Sequence, residues 1–195
     1  MSEALTTAGT RSADNRVARR TAAVLLFAVL TAIGAAIEIP IPGSPVPVTM
    51  QTLIVSLSGL LLGPMLGAAS QIVYVMAGAV GAPVFSGGAF GFAHLLGPTG
   101  GYLLAFPVAA AVTGRLAGRS PAKWNVLAAT RLGIAIFLGT VVIFAGGYAQ
   151  LALLTGDSVR AFQLGVLPFI VGDIVKVLAA LAVAIRYRNR TLEWL

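Results

Sequence analysis

The sequence predicts an all-α polytopic membrane protein, an α-helical bundle with six transmembrane helices. Of its 195 residues, 58% are hydrophobic and 10% are charged, whereas soluble domains carry about 25% charged residues. No Asp, Glu, Lys or Arg occurs between Glu38 and Arg115. A soluble domain of this size would have to expose much of so long a neutral stretch as apolar surface, so a membrane bundle is the class that fits.

Charges and clusters of proline and glycine divide the chain into six apolar segments, each a candidate for a helix that crosses the bilayer. The predicted spans are residues 21–37, 50–62, 65–80, 102–116, 132–154 and 162–185. The second and third spans are separated by Gly63 and Pro64 and are short for full crossings. We therefore expect them to be tilted, to extend into the flanking loops, or to lie where the bilayer is locally thinned.

Two stretches between the predicted spans are too rich in proline or glycine for a continuous helix. Residues 40–47 hold four prolines, and residues 81–101 hold seven glycines and two prolines. Irregular backbone at membrane depth has to be covered by protein or face water, because lipid cannot satisfy its amides. We therefore expect the glycine-rich stretch to line or cap a cavity.

The basic residues predict the domain organisation and the orientation. We expect a basic cytoplasmic segment over residues 1–20, the six-helix domain over 21–188 and a cytoplasmic tail over 189–195. With the N-terminus inside, 11 of the 13 Lys and Arg residues lie on the cytoplasmic side; they are Arg11, Arg16, Arg19, Arg20, Arg115, Arg119, Lys123, Arg131, Arg186, Arg188 and Arg190. The competing interpretation, a signal peptide cleaved near Gly34, would place the two later clusters outside.

The net charge of +7 fits the same interpretation. In a soluble protein it would suggest nucleic acid, but clusters at the ends of apolar spans are typical of loops that face anionic membrane lipid. We therefore expect the protein in the cytoplasmic membrane, with no nucleic-acid partner.

The residue types exclude most catalytic chemistry. The chain has no cysteine and one histidine, so we expect no metal site, no cofactor and no cysteine nucleophile. No P-loop motif occurs, so we do not expect this chain itself to be an ATPase. An intramembrane enzyme would have Asp173 and Lys176 as its sole candidate acid–base pair, with no activated serine beside it.

Asp173 and Lys176 are the strongest candidates for a functional site. They are the ionisable residues within the predicted spans, where a charge is costly. Residues three apart share a face of a helix and can pair directly. The pair either neutralises itself and joins helices, or it offers polar anchors to a ligand in an apolar pocket.

Weaker candidates are neutral polar residues at comparable depth, each of which is either an interhelical hydrogen bond or a ligand contact. These are Thr49, Gln51, Thr52, Gln71, Tyr74, Thr99 and Tyr102. A separate pattern is the small-residue stripe of Ala28, Ala32 and Ala36 in the first span, which allows close approach of another helix of the bundle or of a partner protein.

Five short motifs give the chain a resemblance to a known family. They are VPVTMQTL at 46–53, LLLGPMLGA at 60–68, GAPVFSGG at 81–88, LLGPTGGY at 95–102 and GDIVK at 172–176. Together they resemble the BioY family, the biotin-binding S-components of energy-coupling factor (ECF) transporters. The combination of GPTGGY with GDxxK is specific, whereas each motif alone would be weak.

The resemblance implies a six-helix S-component whose vitamin site opens to the outside. The first extracellular loop would cap the site, and the glycine-rich loop with Gly87 and Gly88 would border it. Asp173 and Lys176 match the GDxxK pair and would contact biotin. A carboxylate accepts the two ureido N–H groups, and lysine donates to a carbonyl or carboxylate oxygen.

The resemblance also implies partners. The stripe of Ala28, Ala32 and Ala36 is similar to the face by which S-components dock on their transmembrane coupling subunit, which works with ATPase subunits; a self-oligomer is the other possibility. Another vitamin, such as riboflavin or thiamine, is an alternative substrate. A structural membrane subunit without a ligand is the remaining alternative.

Overall fold

A computed structural model describes residues 2–118 and 125–195, with side chains from Asp14 onward. It confirms the all-α class. The helices are α1 (Ser2–Ala36), α2 (Gln51–Ala79), α3 (Phe92–Leu95), α4 (Gly100–Ala117), α5 (Val126–Thr155), α6 (Ser158–Gly165) and α7 (Ile170–Trp194). Two short strands, β1 (Glu38–Ile39) and β2 (Val48–Thr49), pair antiparallel on either side of the proline-rich loop.

Helix α2 is a hairpin of two helices, as the Gly63-Pro64 break predicts. Gly63 has φ 80° and ψ 178°, a conformation that glycine adopts readily and other residues do not. Pro64 then begins the second half, where its missing N–H costs nothing. The halves run antiparallel, because Gln71 in the second half donates a hydrogen bond to Ser58 in the first, at 3.3 Å.

The predicted six helical segments are confirmed once α2 is counted as two. In the described ranges, five helices are long and apolar enough to cross a membrane. They are α1 from Asp14, α2, α4, α5, and the stretch Ser158–Trp194, which contains α6 and α7. Since α2 doubles back at Gly63, the chain runs along the bundle six times.

Small residues let the central helices pack with their backbones close together. A Cβ atom added at Gly59 of α2 would lie 2.3 Å from the carbonyl oxygen of Ala110 in α4. A Cβ at Gly101 of α4 would lie 2.2 Å from the carbonyl oxygen of Gly146 in α5. Close packing of this kind drives helix association in lipid, where hydrophobic burial between helices contributes little.

A buried polar cluster joins α1 to both halves of α2. The Nε2 atom of Gln71 lies 3.2 Å from the hydroxyl oxygens of both Thr31 and Ser70, and its two N–H groups are shared among these hydroxyls and that of Ser58. All four side chains are buried. Each polar atom here has a partner, which is the condition for keeping polar groups in an apolar bundle.

The predicted sixth span, residues 162–185, lies within the apolar stretch Ser158–Trp194 and is interrupted near Pro168. Helix α6 ends at Gly165, a 3-10 turn covers Leu167–Phe169, and α7 begins at Ile170. Pro168 lies in that turn and lacks the N–H that a continuous helix would need. Asp173 therefore lies in the first turn of α7 rather than in the middle of a span.

The ends of several helices also differ from the predicted spans. Helix α1 begins at Ser2 rather than at Thr21, and α5 begins at Val126 rather than at Leu132. The predicted bounds followed hydropathy, whereas alanine and arginine continue a helix beyond the apolar stretch. Arg119 and Lys123 of the predicted basic clusters, and the side chain of Arg11, lie outside the described residues.

Arg188 is buried, although the basic cluster predicts a residue facing the cytoplasm. Its side chain is 1% exposed, and its guanidinium donates to the carbonyl oxygens of Leu60 and Gly118. These carbonyls lie at the C-terminal ends of helices, where backbone acceptors lack intrahelical partners and the helix dipole attracts a cation. Arg188 thus joins α7 to the first half of α2 and to α4.

We expect Gly59→Val to destabilise the fold, because a valine at this position overlaps the backbone of α4. Overpacking of a close contact costs about 1–3 kcal/mol. Thermal unfolding of the purified protein in detergent measures the effect, with Gly133→Ala as the control, since a Cβ there meets nothing within 4 Å. Equal unfolding temperatures for Gly59→Val and Gly133→Ala would contradict the close packing of α2 on α4.

Candidate ligand-binding site

A cavity lies at the end of the bundle where α2, α4 and α7 begin, beneath the loop after β1 and the glycine-rich stretch. Its polar wall consists of Thr49, Gln51, Thr52, Ser86, Thr99, Tyr102, Asp173 and Lys176. Its apolar wall consists of Val46, Pro47, Leu103, Phe106, Phe144 and Phe169. An apolar cavity with a few converging polar groups is the usual form of a small-molecule site.

The ion pair predicted from the sequence forms on this wall. Lys176 Nζ lies 2.6 Å from Asp173 Oδ1, and the two side chains belong to adjacent turns of α7. Asp173 is 5% exposed and Lys176 is 9% exposed. The first turn of a helix favours a carboxylate, because the backbone N–H groups there carry partial positive charge.

Thr52 of α2 forms hydrogen bonds with both members of the ion pair. Lys176 Nζ donates to Thr52 Oγ1 at 3.0 Å, and Thr52 Oγ1 donates to Asp173 Oδ1 at 3.3 Å. One hydroxyl therefore contacts both charged groups and fixes their positions relative to α2. A triad of this kind orients the two charges instead of leaving them to rotate freely.

The second carboxylate oxygen of Asp173 carries the strongest indication of ligand binding. Oδ2 is buried and has no hydrogen-bond partner in the described part of the chain. A buried acceptor without a donor costs about 1–3 kcal/mol. Since Asp173 lines the cavity, an N–H or O–H donor on a bound molecule would remove that cost.

Gln51 lies on the cavity wall, and Tyr74 lies behind it. Gln51 Nε2 donates to the Tyr74 hydroxyl at 2.6 Å, and that hydroxyl donates to the carbonyl oxygen of Val84 at 3.1 Å. On the other side, Thr49 Oγ1 donates to Gln51 Oε1 at 3.0 Å. The amide of Gln51 is therefore held in one orientation, and Tyr74 supports it without reaching the cavity.

Thr99 and Tyr102 also line the cavity and connect it to its cover. Tyr102 donates to the carbonyl oxygen of Gly165, at 2.7 Å. Thr99 Oγ1 lies 2.9 Å from His94 Nε2, and the His94 ring stacks on Phe85 with their centroids 5.2 Å apart. Burial lowers the pKa of His94, which favours the neutral ring near pH 7.

Gly87 and Gly88 do not line the cavity. Their φ angles are +66° and +72°, so they turn the backbone of the loop, and the cavity wall there is formed by Ser86. The structure therefore brings Asp173, Lys176, Gln51, Thr99 and Tyr102 to one cavity, while Tyr74, Gly87 and Gly88 lie behind its wall.

The structure adds wall residues that were not among the predicted site residues. The aromatic residues Phe106, Phe144 and Phe169 come from three different elements. In an apolar helix, a phenylalanine that faces a cavity has the same sequence signal as one that faces lipid. Thr49 and Thr52 were among the neutral polar candidates, and both line the cavity. Gln71, another of those candidates, lies in the buried cluster with Thr31 instead.

The alanine stripe of α1 turns from the core to the surface along its length. Ala28 is buried in the chain's own core, Ala32 packs against that core and is partly buried, and Ala36 is exposed. The inner end of the stripe thus serves the bundle, and Ala36 is the residue that a partner could contact.

Comparisons with known proteins agree with this fold. A family model described as the BioY family matches residues 4–193. A protein of Pyrococcus horikoshii described as a probable biotin transporter BioY is 43% identical over 174 residues, which cover 89% of this chain and 99% of that protein. The biotin transporter BioY of Thermotoga maritima is 36% identical over 168 residues, covering 86% of this chain and 95% of that protein.

One solved structure is similar over most of the chain. The crystal structure of the S-component for biotin from an ECF-type ABC transporter superposes with a TM-score of 0.79. It is 23% identical in sequence, and the match covers 90% of this chain and 93% of that one. The likeness shows that the two chains share a fold.

Proposed function

The chain belongs to the BioY family, and from this premise we propose that it is the biotin-binding S-component of an ECF-type transporter. In this role it binds biotin from outside and takes part in its uptake across the cytoplasmic membrane. The relatives described as biotin transporters support the substrate. The family is one of transporter subunits, and the chain is not an enzyme.

The observation that carries the proposal is the buried ion pair of Asp173 and Lys176, joined by Thr52, on the wall of an apolar cavity. Asp173 Oδ2 lacks a donor, and the ureido ring of biotin offers two N–H groups. Lys176, held beside it by Thr52, donates to the ureido carbonyl oxygen or to a carboxylate oxygen. The two ends of the pair thus match the donors and the acceptor of one small ring.

The apolar wall of the cavity suits the apolar part of biotin. Phe106, Phe144 and Phe169 line the cavity together with Leu103. The thiophane ring and the valeryl chain of biotin are apolar, and contact with these side chains removes their surface from water. The neutral polar groups that remain for further contacts are Thr49, Gln51, Ser86, Thr99 and Tyr102.

Binding requires movement of the cover. The cavity volume is about 50 Å³, which is enough for a few water molecules and too small for biotin. The loop between β1 and β2 contributes Val46 and Pro47 to the wall, and the glycine-rich stretch contributes Ser86 and Thr99. We infer that these segments shift to admit the vitamin.

Both termini are proposed to lie in the cytoplasm, which places the cavity at the outer side. The described arginines of the basic clusters lie toward the end of the bundle where α1 starts and α7 ends, away from the cavity. Basic residues concentrate on the cytoplasmic side of membrane proteins. The basic segment over residues 1–20 and the tail over 189–195 would then both be cytoplasmic.

We also propose that α1 contacts a transmembrane coupling subunit, which connects the chain to ATPase subunits. Support comes from the exposed outer face of this helix, which includes Leu26, Val29, Ile33 and Ala36. Ala28 and Ala32 face the bundle, so they would act by keeping α1 close to α2 and not by touching the partner. Self-association through the same face is the alternative outcome.

We expect Asp173→Asn to weaken biotin binding by at least about ten-fold, because a charge-assisted hydrogen bond contributes roughly 1.5–3 kcal/mol. Equilibrium binding of labelled biotin to the detergent-purified protein measures this, with riboflavin and thiamine as competitors. Asp157→Asn is the matched control, since Asp157 caps α6 at an exposed position and asparagine caps equally well.

We expect unlabelled biotin, but neither riboflavin nor thiamine, to displace the labelled biotin. We also expect Asp173→Asn, but not Asp157→Asn, to weaken the binding of biotin. Displacement by riboflavin or thiamine would assign a different vitamin. A folded protein that binds none of the three would contradict the proposed function, and the pair would then serve only to join helices.

We expect Ala36→Leu to leave biotin binding unchanged and to reduce co-purification of the coupling subunit, because a larger side chain on the exposed surface keeps the two helices apart. Ala149→Leu, at an exposed position of a different helix, α5, is the matched control. Loss of biotin binding in Ala36→Leu would show that this end of the stripe belongs to the fold. Unchanged co-purification would exclude Ala36 from the partner contact.

A further inference from the structure

A second, basic cleft lies between the beginning of α1 and the end of α7. Its wall includes Arg16, Arg19 and Arg20 of α1 together with Glu193 and Trp194 of α7. Because α7 runs from Asp173 at the cavity to Trp194 at the cleft, the two sites lie at opposite ends of the bundle. The biotin site therefore does not account for this cleft.

The cleft is built to attract an anion. Three guanidinium groups line it against two carboxylates, the side chain of Glu193 and the main-chain carboxylate of Leu195. Arg19 Nη1 donates to the carbonyl oxygen of Trp194 at 3.4 Å, and Arg20 Nε donates to a carboxylate oxygen of Leu195 at 3.2 Å. Each bond uses one of the five N–H donors of its guanidinium, so the groups are positioned while most of their donors still face outward.

The cleft also lies at the depth of lipid headgroups. Arg20 directly precedes the apolar run of α1, and basic residues and tryptophan at the end of a span mark the boundary between lipid and water. The Arg19 guanidinium lies 5.7 Å from the centre of the Trp194 ring. Next along α1, Leu25 and Leu26 are exposed and offer an apolar surface to acyl chains.

We propose that this cleft binds the phosphate group of an anionic phospholipid such as phosphatidylglycerol. Basic pockets between transmembrane helices recognise such headgroups through charge and hydrogen bonds. The adjoining apolar surface favours a diacyl lipid over a free phosphate ion. The site would hold the two terminal helical segments together at the membrane surface, whether or not the cavity binds biotin.

Fluorescence of Trp194 tests the proposal directly. The chain has two tryptophans, so Trp124→Phe leaves Trp194 as the sole emitter. This protein is reconstituted in phosphatidylcholine vesicles that contain dibrominated phosphatidylglycerol or, in parallel, the same fraction of dibrominated phosphatidylcholine. Bromine quenches a nearby indole, so stronger quenching by phosphatidylglycerol measures the preference for the anionic lipid.

We expect phosphatidylglycerol to quench more strongly, and Arg16→Gln to lower the preference by about ten-fold, because the variant loses a charge-assisted hydrogen bond to the phosphate. Arg16 is suited to the test because it is not one of the two arginines that hold the end of α7. The control is Arg186→Gln, a single exposed arginine of α7 outside the cleft; it makes no hydrogen bond to a phosphate in the cleft and acts only through the screened surface potential, so the variant should retain at least about half of the preference.

Equal quenching by the two lipids in the parent protein would overturn the proposal. So would an equal loss of preference in Arg16→Gln and in the control, since that result indicates a diffuse surface charge. Inorganic phosphate added to the vesicles should not relieve the quenching. If it does, the cleft binds phosphate ions in general and the assignment to a lipid is wrong.

Discussion

The cost of a charged pair in an apolar bundle governs this structure. Asp173 and Lys176 are both nearly buried, and in a low-dielectric interior each charge is tolerated only with its partner and with hydrogen bonds in place. Thr52 supplies those bonds to Oδ1 and to Nζ, and one carboxylate oxygen remains without a donor. Two leucines would fill the same space at a lower free-energy cost, which supports the proposal that the unsatisfied oxygen contacts a ligand.

The backbone breaks place that pair where a ligand can reach it. Pro168 ends the helical path before α7, so Asp173 falls in a first turn at the end of the bundle. Gly63 reverses the chain within α2, which brings Gln51 and Thr52 to the same end as Tyr74. The glycine-rich stretch then covers this end with irregular backbone, and the protein beneath it satisfies groups that lipid could not.

The sequence predicted those parts of the fold that depend on local chemistry. The Gly63-Pro64 break, the irregular glycine-rich stretch and the Asp173–Lys176 pair all follow from residue types and helical spacing. The resemblance to the BioY family, carried by motifs such as GPTGGY and GDxxK, is confirmed by the family model. Contacts within one helical turn need no knowledge of the tertiary structure.

Contacts between residues far apart in the chain could not be predicted from the sequence. Thr52 is 121 residues from Asp173, and no spacing rule connects them. The burial of Arg188 depends on carbonyl groups of two other helices, and the orientation of Ala28 toward the core depends on where α1 packs. Pro168 indicates a loosened backbone in the sixth span, but the sequence does not show that α6 ends at Gly165 and that a 3-10 turn precedes α7.

The most direct test of the account measures the contact between Asp173 and the ureido ring. Biotin and an analogue with its ureido nitrogens methylated are compared for affinity, each on the parent protein and on Asp173→Asn. If the carboxylate accepts those N–H groups, methylation weakens binding to the parent strongly and has much less effect on the variant, so the two changes are not additive. Additive losses would show that Asp173 and the ureido N–H groups act independently, and would contradict the proposed recognition.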